Sequence, residues 1–82
     1  MKPALVQNRE DMALGAAWRR VEKALPRRFA LGLTTNGHGS YGALARPPFM
    51  DYPEWMEAKR ETWADDAVTA LTALAEKLEA AR

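Results

Sequence analysis

The sequence predicts an α+β fold: an N-terminal helix, an antiparallel β-hairpin or three-stranded sheet, and a C-terminal helix packed on the sheet. Three observations lead there. Residues 63–82 repeat apolar side chains every three or four positions. Residues 29–35 alternate in polarity and run into Asn36-Gly37, a strong hairpin signal. Residues 9–25 carry a second stripe of helical period, closed by Pro26.

Eighty-two residues suffice for one small domain, expected to occupy 1–82. A core of that size would gain from a partner or from self-association, so a homodimer is within expectation. The chain has no cysteine and a single histidine. A disulfide framework and a cysteine zinc site are therefore excluded, and no metal or cofactor is expected. Residues 1–7 lack the pattern of a secretory signal, and no apolar run reaches membrane-spanning length. A cytoplasmic protein without membrane contact is the expectation.

Residues 1–8 are expected to be a flexible start, with Pro3 interrupting any early helix. The first helix is then expected over 9–25. Asn8 is placed to cap it, and Glu10 and Asp11 suit the positive end of the helix dipole. Leu14, Trp18, Val21 and Leu25 form the stripe, with Ala17 and Ala24 beside it. Gly15 weakens this helix by up to about 1 kcal/mol relative to alanine.

The hairpin is expected over 29–46. Phe29, Leu31 and Leu33 alternate with Ala30, Gly32 and Thr34, so the two sets take opposite faces. On the return strand Tyr41, Ala43 and Ala45 share a face and Leu44 takes the other. The small residues Gly32, Gly42, Ala43 and Ala45 would let a helix lie close to the sheet; Gly32 and Gly42 could instead mark bulges.

Pro47-Pro48 stops the second strand and opens a connector over 47–62. Two structures compete for residues 51–62. Asp51 and Pro53 could start a helix, favoured by the propensity of Glu54, Glu57, Ala58 and Lys59. Alternatively, residues 56–62 form a third strand. The final helix is expected over 63–82, with Trp63, Ala64, Ala67, Val68, Leu71, Leu74, Ala75 and Leu78 on its buried stripe. Thr62 is its expected cap and Asp65 the reciprocal residue.

Charge is divided along the chain. Residues 1–46 hold eight Lys/Arg and three Asp/Glu, a net +5; residues 47–82 hold four and eight, a net −4. Two readings follow: the halves pack together and neutralise each other, or one half meets a charged partner. Arg19, Arg20, Lys23, Arg27 and Arg28 cluster at the end of the first helix, where cations suit the dipole and could also meet phosphate or an acidic protein. Phe49, Tyr52 and Trp55 form an aromatic connector of the kind enriched at interfaces. Glu57 and Glu61 lead an acidic face that could imitate nucleic-acid phosphate. These ten residues are the expected partner-binding set. His38 and Ser40 sit at a hairpin tip with no carboxylate nearby in sequence, so no catalytic residue is assigned.

Tyr41 and Ala43, followed by a proline-containing connection and a helix entry bearing Thr62, Asp65, Asp66, Ala67 and Leu71, resemble the HicB-like antitoxin core. That resemblance spans roughly residues 29–80 and implies toxin neutralisation. The outline also resembles the double-stranded RNA-binding domain, a family with a lysine-rich start to its last helix where this chain has Asp65 and Asp66. In size and type the chain is similar to phage-encoded inhibitors such as anti-CRISPR proteins. The expected function is a non-enzymatic protein-binding module of that mobile-element kind, acting by occluding a partner's surface, with a nucleoprotein complex as one class of target. A HicB-like antitoxin core and a small nucleic-acid-binding module are the alternatives.

Overall fold

The structure is a computed structural model describing residues 4–49, 51 and 53–81. The order of elements is α1 (Ala4–Ala24), β1 (Ala30–Thr35), β2 (Tyr41–Arg46), α2 (Glu54–Ala58), β3 (Arg60–Ala64) and α3 (Ala67–Ala80). The strands form one antiparallel sheet in the order β1-β2-β3. This is the α+β architecture read from the sequence, with the sheet three-stranded.

The α3 stripe is buried as its spacing requires. Leu71, Leu74, Leu78, Ala70 and Ala75 leave the solvent. They meet Ala43 and Ala45 of β2 on one side and Ala17, Val21 and Ala24 of α1 on the other, forming one core. The chief partner of α1 is α3, and α3 in turn lies on β2 and β3. Leu14, Trp18, Leu25, Phe29, Leu31 and Leu33 close the margins. The α1 stripe and the second stripe from Val68 to Leu78 face inward, whereas Trp63, expected on that second stripe, is exposed. Among the described residues no charged side chain is buried.

Register assigns the faces. Leu31 pairs with Ala45, Leu33 with Ala43, and Ala43 with Thr62. Those residues lie on the face that α3 covers. Gly32, Leu44 and Glu61 share the opposite face, as do Thr34, Gly42 and Trp63. Pairing runs through Gly32 and Gly42 without a break, so neither marks a bulge. Ala43 and Ala45 supply the close approach of α3, whereas the two glycines are turned away from it.

Several boundaries differ from the expected ones. The first helix begins at Ala4 rather than at residue 9, so Asn8 is an interior residue and not a cap. Residues 4–8 contain neither glycine nor proline, and nothing in their chemistry delays the helix. The connector holds both competing structures in succession, the short α2 and then β3. The third strand is Arg60–Ala64, shifted toward the C terminus of the expected 56–62. Trp63 and Ala64 therefore belong to a strand, and the last helix starts at Ala67 instead of 63.

The cap moves with that start. Asp66 is the N-cap: its carboxylate accepts from the Thr69 backbone N–H at 2.7 Å and from the Thr69 hydroxyl at 2.9 Å. Thr62, displaced from the capping role, lies in β3 and donates its hydroxyl to the Ala70 carbonyl at 2.6 Å. That bond ties β3 to α3. A three-four spacing cannot separate a strand that flows into a helix when both bury residues toward the same core.

Turns follow local chemistry. Gly37 and Gly39 adopt positive φ, and the Asn36 side chain accepts from the His38 and Ser40 amides at 2.7 and 3.3 Å. Arg28, at φ 71°, turns α1 into β1, and the Phe29 amide donates to the Pro26 carbonyl at 3.1 Å.

Leu71→Ala should lower stability by roughly 2–5 kcal/mol in a urea melt, because the lost side chain is fully buried between layers. The cap yields a pH dependence. Hydrogen bonds from the Thr69 amide, then from its hydroxyl, hold the Asp66 carboxyl below its ordinary value. A carboxyl depressed by folding stabilises above the unfolded value of about 4 and loses that contribution as pH falls through the folded one. The stability difference between wild type and Asp66→Ala should therefore be level from neutral pH down to about pH 5 and shrink below about pH 4.

Candidate interaction surfaces

The basic cluster at the end of α1 is exposed, but its members are not equivalent. Arg20 donates from Nε and Nη2 to the two Glu79 carboxylate oxygens at 2.9 and 2.7 Å. This forked pair crosses from α1 to α3, and Arg20 therefore serves packing. A charge reversal at Arg20 would disturb the helix pair as well as any surface function. The Arg19 guanidinium lies along its own helix, 3.3 Å from where a Cβ on Gly15 would stand. Lys23, Arg27 and Arg28 are exposed.

The aromatic connector is only partly an outward surface. Phe49 and Met56 are exposed, while Trp55 is half-buried. Lys59 places its ammonium 5.2 Å from the Trp55 ring centroid, a cation–π contact, and pairs with Glu61 at 3.5 Å. The buried Trp55 Nε1 has no hydrogen-bond partner among the described residues. Tyr52 lies outside the described residues. Glu57 is exposed, and its carbonyl accepts from the Arg60 guanidinium at 2.8 Å. A cleft of about 480 Å³ opens where the end of α1 meets α3 and the start of β3. Among the described residues Arg60 is the one charged residue that lines it, and it also donates to the Lys59 carbonyl at 2.9 Å.

The sheet contributes a surface that the expected set largely missed. On the side away from α3, Ala30, Thr34, Arg46, Glu61 and Trp63 are exposed, and Leu44 is half-buried. A Cβ on Gly32 would meet no atom within 4 Å, so this side is open there. Gly42 is buried on the same side because the ring of Trp63, its partner across the strands, lies on top of it. A Cβ on Gly42 would stand 2.8 Å from that ring. Glycine permits the seating, and the indole shields a backbone that would otherwise be bare. Even so, Trp63 remains 49% exposed.

Of the nine expected residues that the structure describes, only Glu61 lies on this open face. Trp63, Leu44 and Arg46, on the same face, are not in that set. The alternation of Glu61 and Trp63 with Thr62 and Ala64 was the signal that could have found it.

Comparison with protein-family models, with curated proteins and with solved structures gives no match.

Gly42→Ala should push the indole off the strand. A red-shifted emission of Trp63, followed in a Trp18→Phe, Trp55→Phe background, is the expected readout. The accompanying stability loss should be about 1 kcal/mol, the lower end for an added methyl, since the exposed ring can swing into solvent.

Proposed function

We propose that this chain is a non-enzymatic protein-binding module that docks through the open face of its sheet and occludes the surface it covers. The half-exposed Trp63, held flat over Gly42, carries the reading. An indole fixed by its support loses little freedom on binding, and tryptophan is prominent among residues that dominate interfaces. Leu44 extends the apolar centre. Exposed Arg46 forms no ion pair among the described residues. The partner that fits is a protein presenting an apolar side chain to Trp63 and Leu44 and a carboxylate to Arg46. Within this class, an occluding inhibitor of the mobile-element, anti-CRISPR-like kind is the favoured form, and a HicB-like neutralising core is the alternative.

The test places a photo-crosslinking amino acid at position 61, on the open face, or at position 22, on α1, and irradiates each in host lysate. A protein adduct is expected from position 61 and not from 22. Trp63→Ala should weaken the interaction roughly thirtyfold or more, as loss of an anchor does. Equal adducts from both positions, none from either, or an adduct destroyed by nuclease would each overturn the proposal.

A further inference from the structure

The two edges of the sheet differ. Asn36 donates its amide to the Ser40 carbonyl at 3.2 Å, which makes Asn36 and Ser40 a hydrogen-bonded pair. Such pairs alternate along an antiparallel ladder. Thr34, Gly32 and Ala30 therefore bond to β2, and the backbone groups of Leu31, Leu33 and Thr35 point outward. Among the described residues these groups have no backbone partner. By the same alternation Glu61 and Trp63 point outward from β3. That edge is obstructed: Lys77 donates to the Glu61 carbonyl at 3.4 Å, and the strand carries Arg60 and Glu61.

β1 has no such protection. Its sequence, Ala-Leu-Gly-Leu-Thr-Thr, contains no charge and no proline, and its pairing has no bulge. Those are the devices that keep an edge from adding a strand. Leu31 and Leu33 stand half-buried at this margin, where an added strand would cover them.

We propose that β1 pairs antiparallel with β1 of a second copy of this chain. An antiparallel pair of identical strands has two-fold symmetry, so one edge is its own complement. The outward groups fix the register. Leu33 lies opposite Leu33 of the second copy, and Leu31 opposite Thr35. Three hydrogen-bonded pairs then exchange about six N–H···O bonds. On the core side leucine meets leucine; on the open side small Gly32 faces Thr34. Because those bonds must offset the entropy of association, the dimer is weak, with a Kd on the order of 10 µM to 1 mM. This inference does not rest on the function proposed above, because pairing at the edge uses none of the open face.

Two measurements on the full chain decide it. Sedimentation of the wild type should show a monomer at low concentration and a dimer approaching about 1 mM. Amide exchange followed by NMR should show Leu31, Leu33 and Thr35 exchanging fast in the monomer and slowly in the dimer, with Gly32 and Thr34 protected in both. Thr35→Pro removes one outward amide per copy and should raise the Kd roughly ten- to a hundredfold. A monomer at every concentration overturns the proposal, as does a dimer in which those three amides stay fast. If Thr35→Pro does not fold, the wild-type exchange pattern decides alone.

Discussion

The fold depends on α3 being buried on two sides at once. A helix of fourteen residues is marginal by itself, and the charge and hydroxyl contacts at its ends are exposed. Its stability comes from Leu71, Leu74 and Leu78, which fill the space between Ala43 and Ala45 beneath and Val21 alongside. The alanines are as important as the leucines. A larger residue at 43 or 45 would lift α3 from the strands, and the hydroxyl bond from Thr62 to the Ala70 carbonyl, at 2.6 Å, has no slack to follow. The same bond explains why a strand stands directly before the helix.

This arrangement spends the apolar surface of both helices on one side of the sheet and, among the described residues, leaves the other side without a layer. An antiparallel sheet tolerates that when its solvent face is polar. Here the open face is mixed: Arg46, Glu61 and Thr34 are ordinary solvent residues, whereas Trp63 and Leu44 are not. Gly42 resolves part of the conflict by giving the indole a seat. The charge division of the chain is resolved only in part as well. Among the described residues, Arg20 with Glu79 is the pair that joins the basic half to the acidic half across the helices, while Lys23, Arg27 and Arg28 are exposed. Neutralisation by packing accounts for one cation of that cluster.

Much of the fold was legible because it rests on periodicity. Leu14, Val21, Leu71 and Leu78 announce the faces of two helices, and Asn36-Gly37 announces the turn between two strands. The third strand was obscured for a physical reason. Residues 60–64 place Thr62 and Ala64 toward the core that Ala67 and Leu71 also face, so one apolar run passes through two secondary structures. Trp63 fitted a helical stripe equally well, and only pairing with Gly42 turned it outward. The missed surface follows directly from that boundary. In the sequence Gly42 signals room for a helix, whereas in the fold its missing side chain makes room for an indole. The basic cluster was legible as residues but not as partners, because the contact of Arg20 with Glu79 joins positions 59 residues apart.

Size connects the two surfaces. Three strands about 4.8 Å apart, two of six residues and one of five, give an open face of roughly 200–300 Å² in plan. That is well below the roughly 800 Å² per partner that specific complexes bury. A single face can anchor a contact through Trp63 but cannot complete one. Pairing through β1 has its two-fold axis perpendicular to the sheet, so both open faces would lie on the same side of one continuous six-stranded surface. The two Trp63 side chains would then be offered together, and a partner touching one would find the second at a high effective concentration. Edge pairing thus supplies the area the small face lacks while using none of the residues on which that face depends.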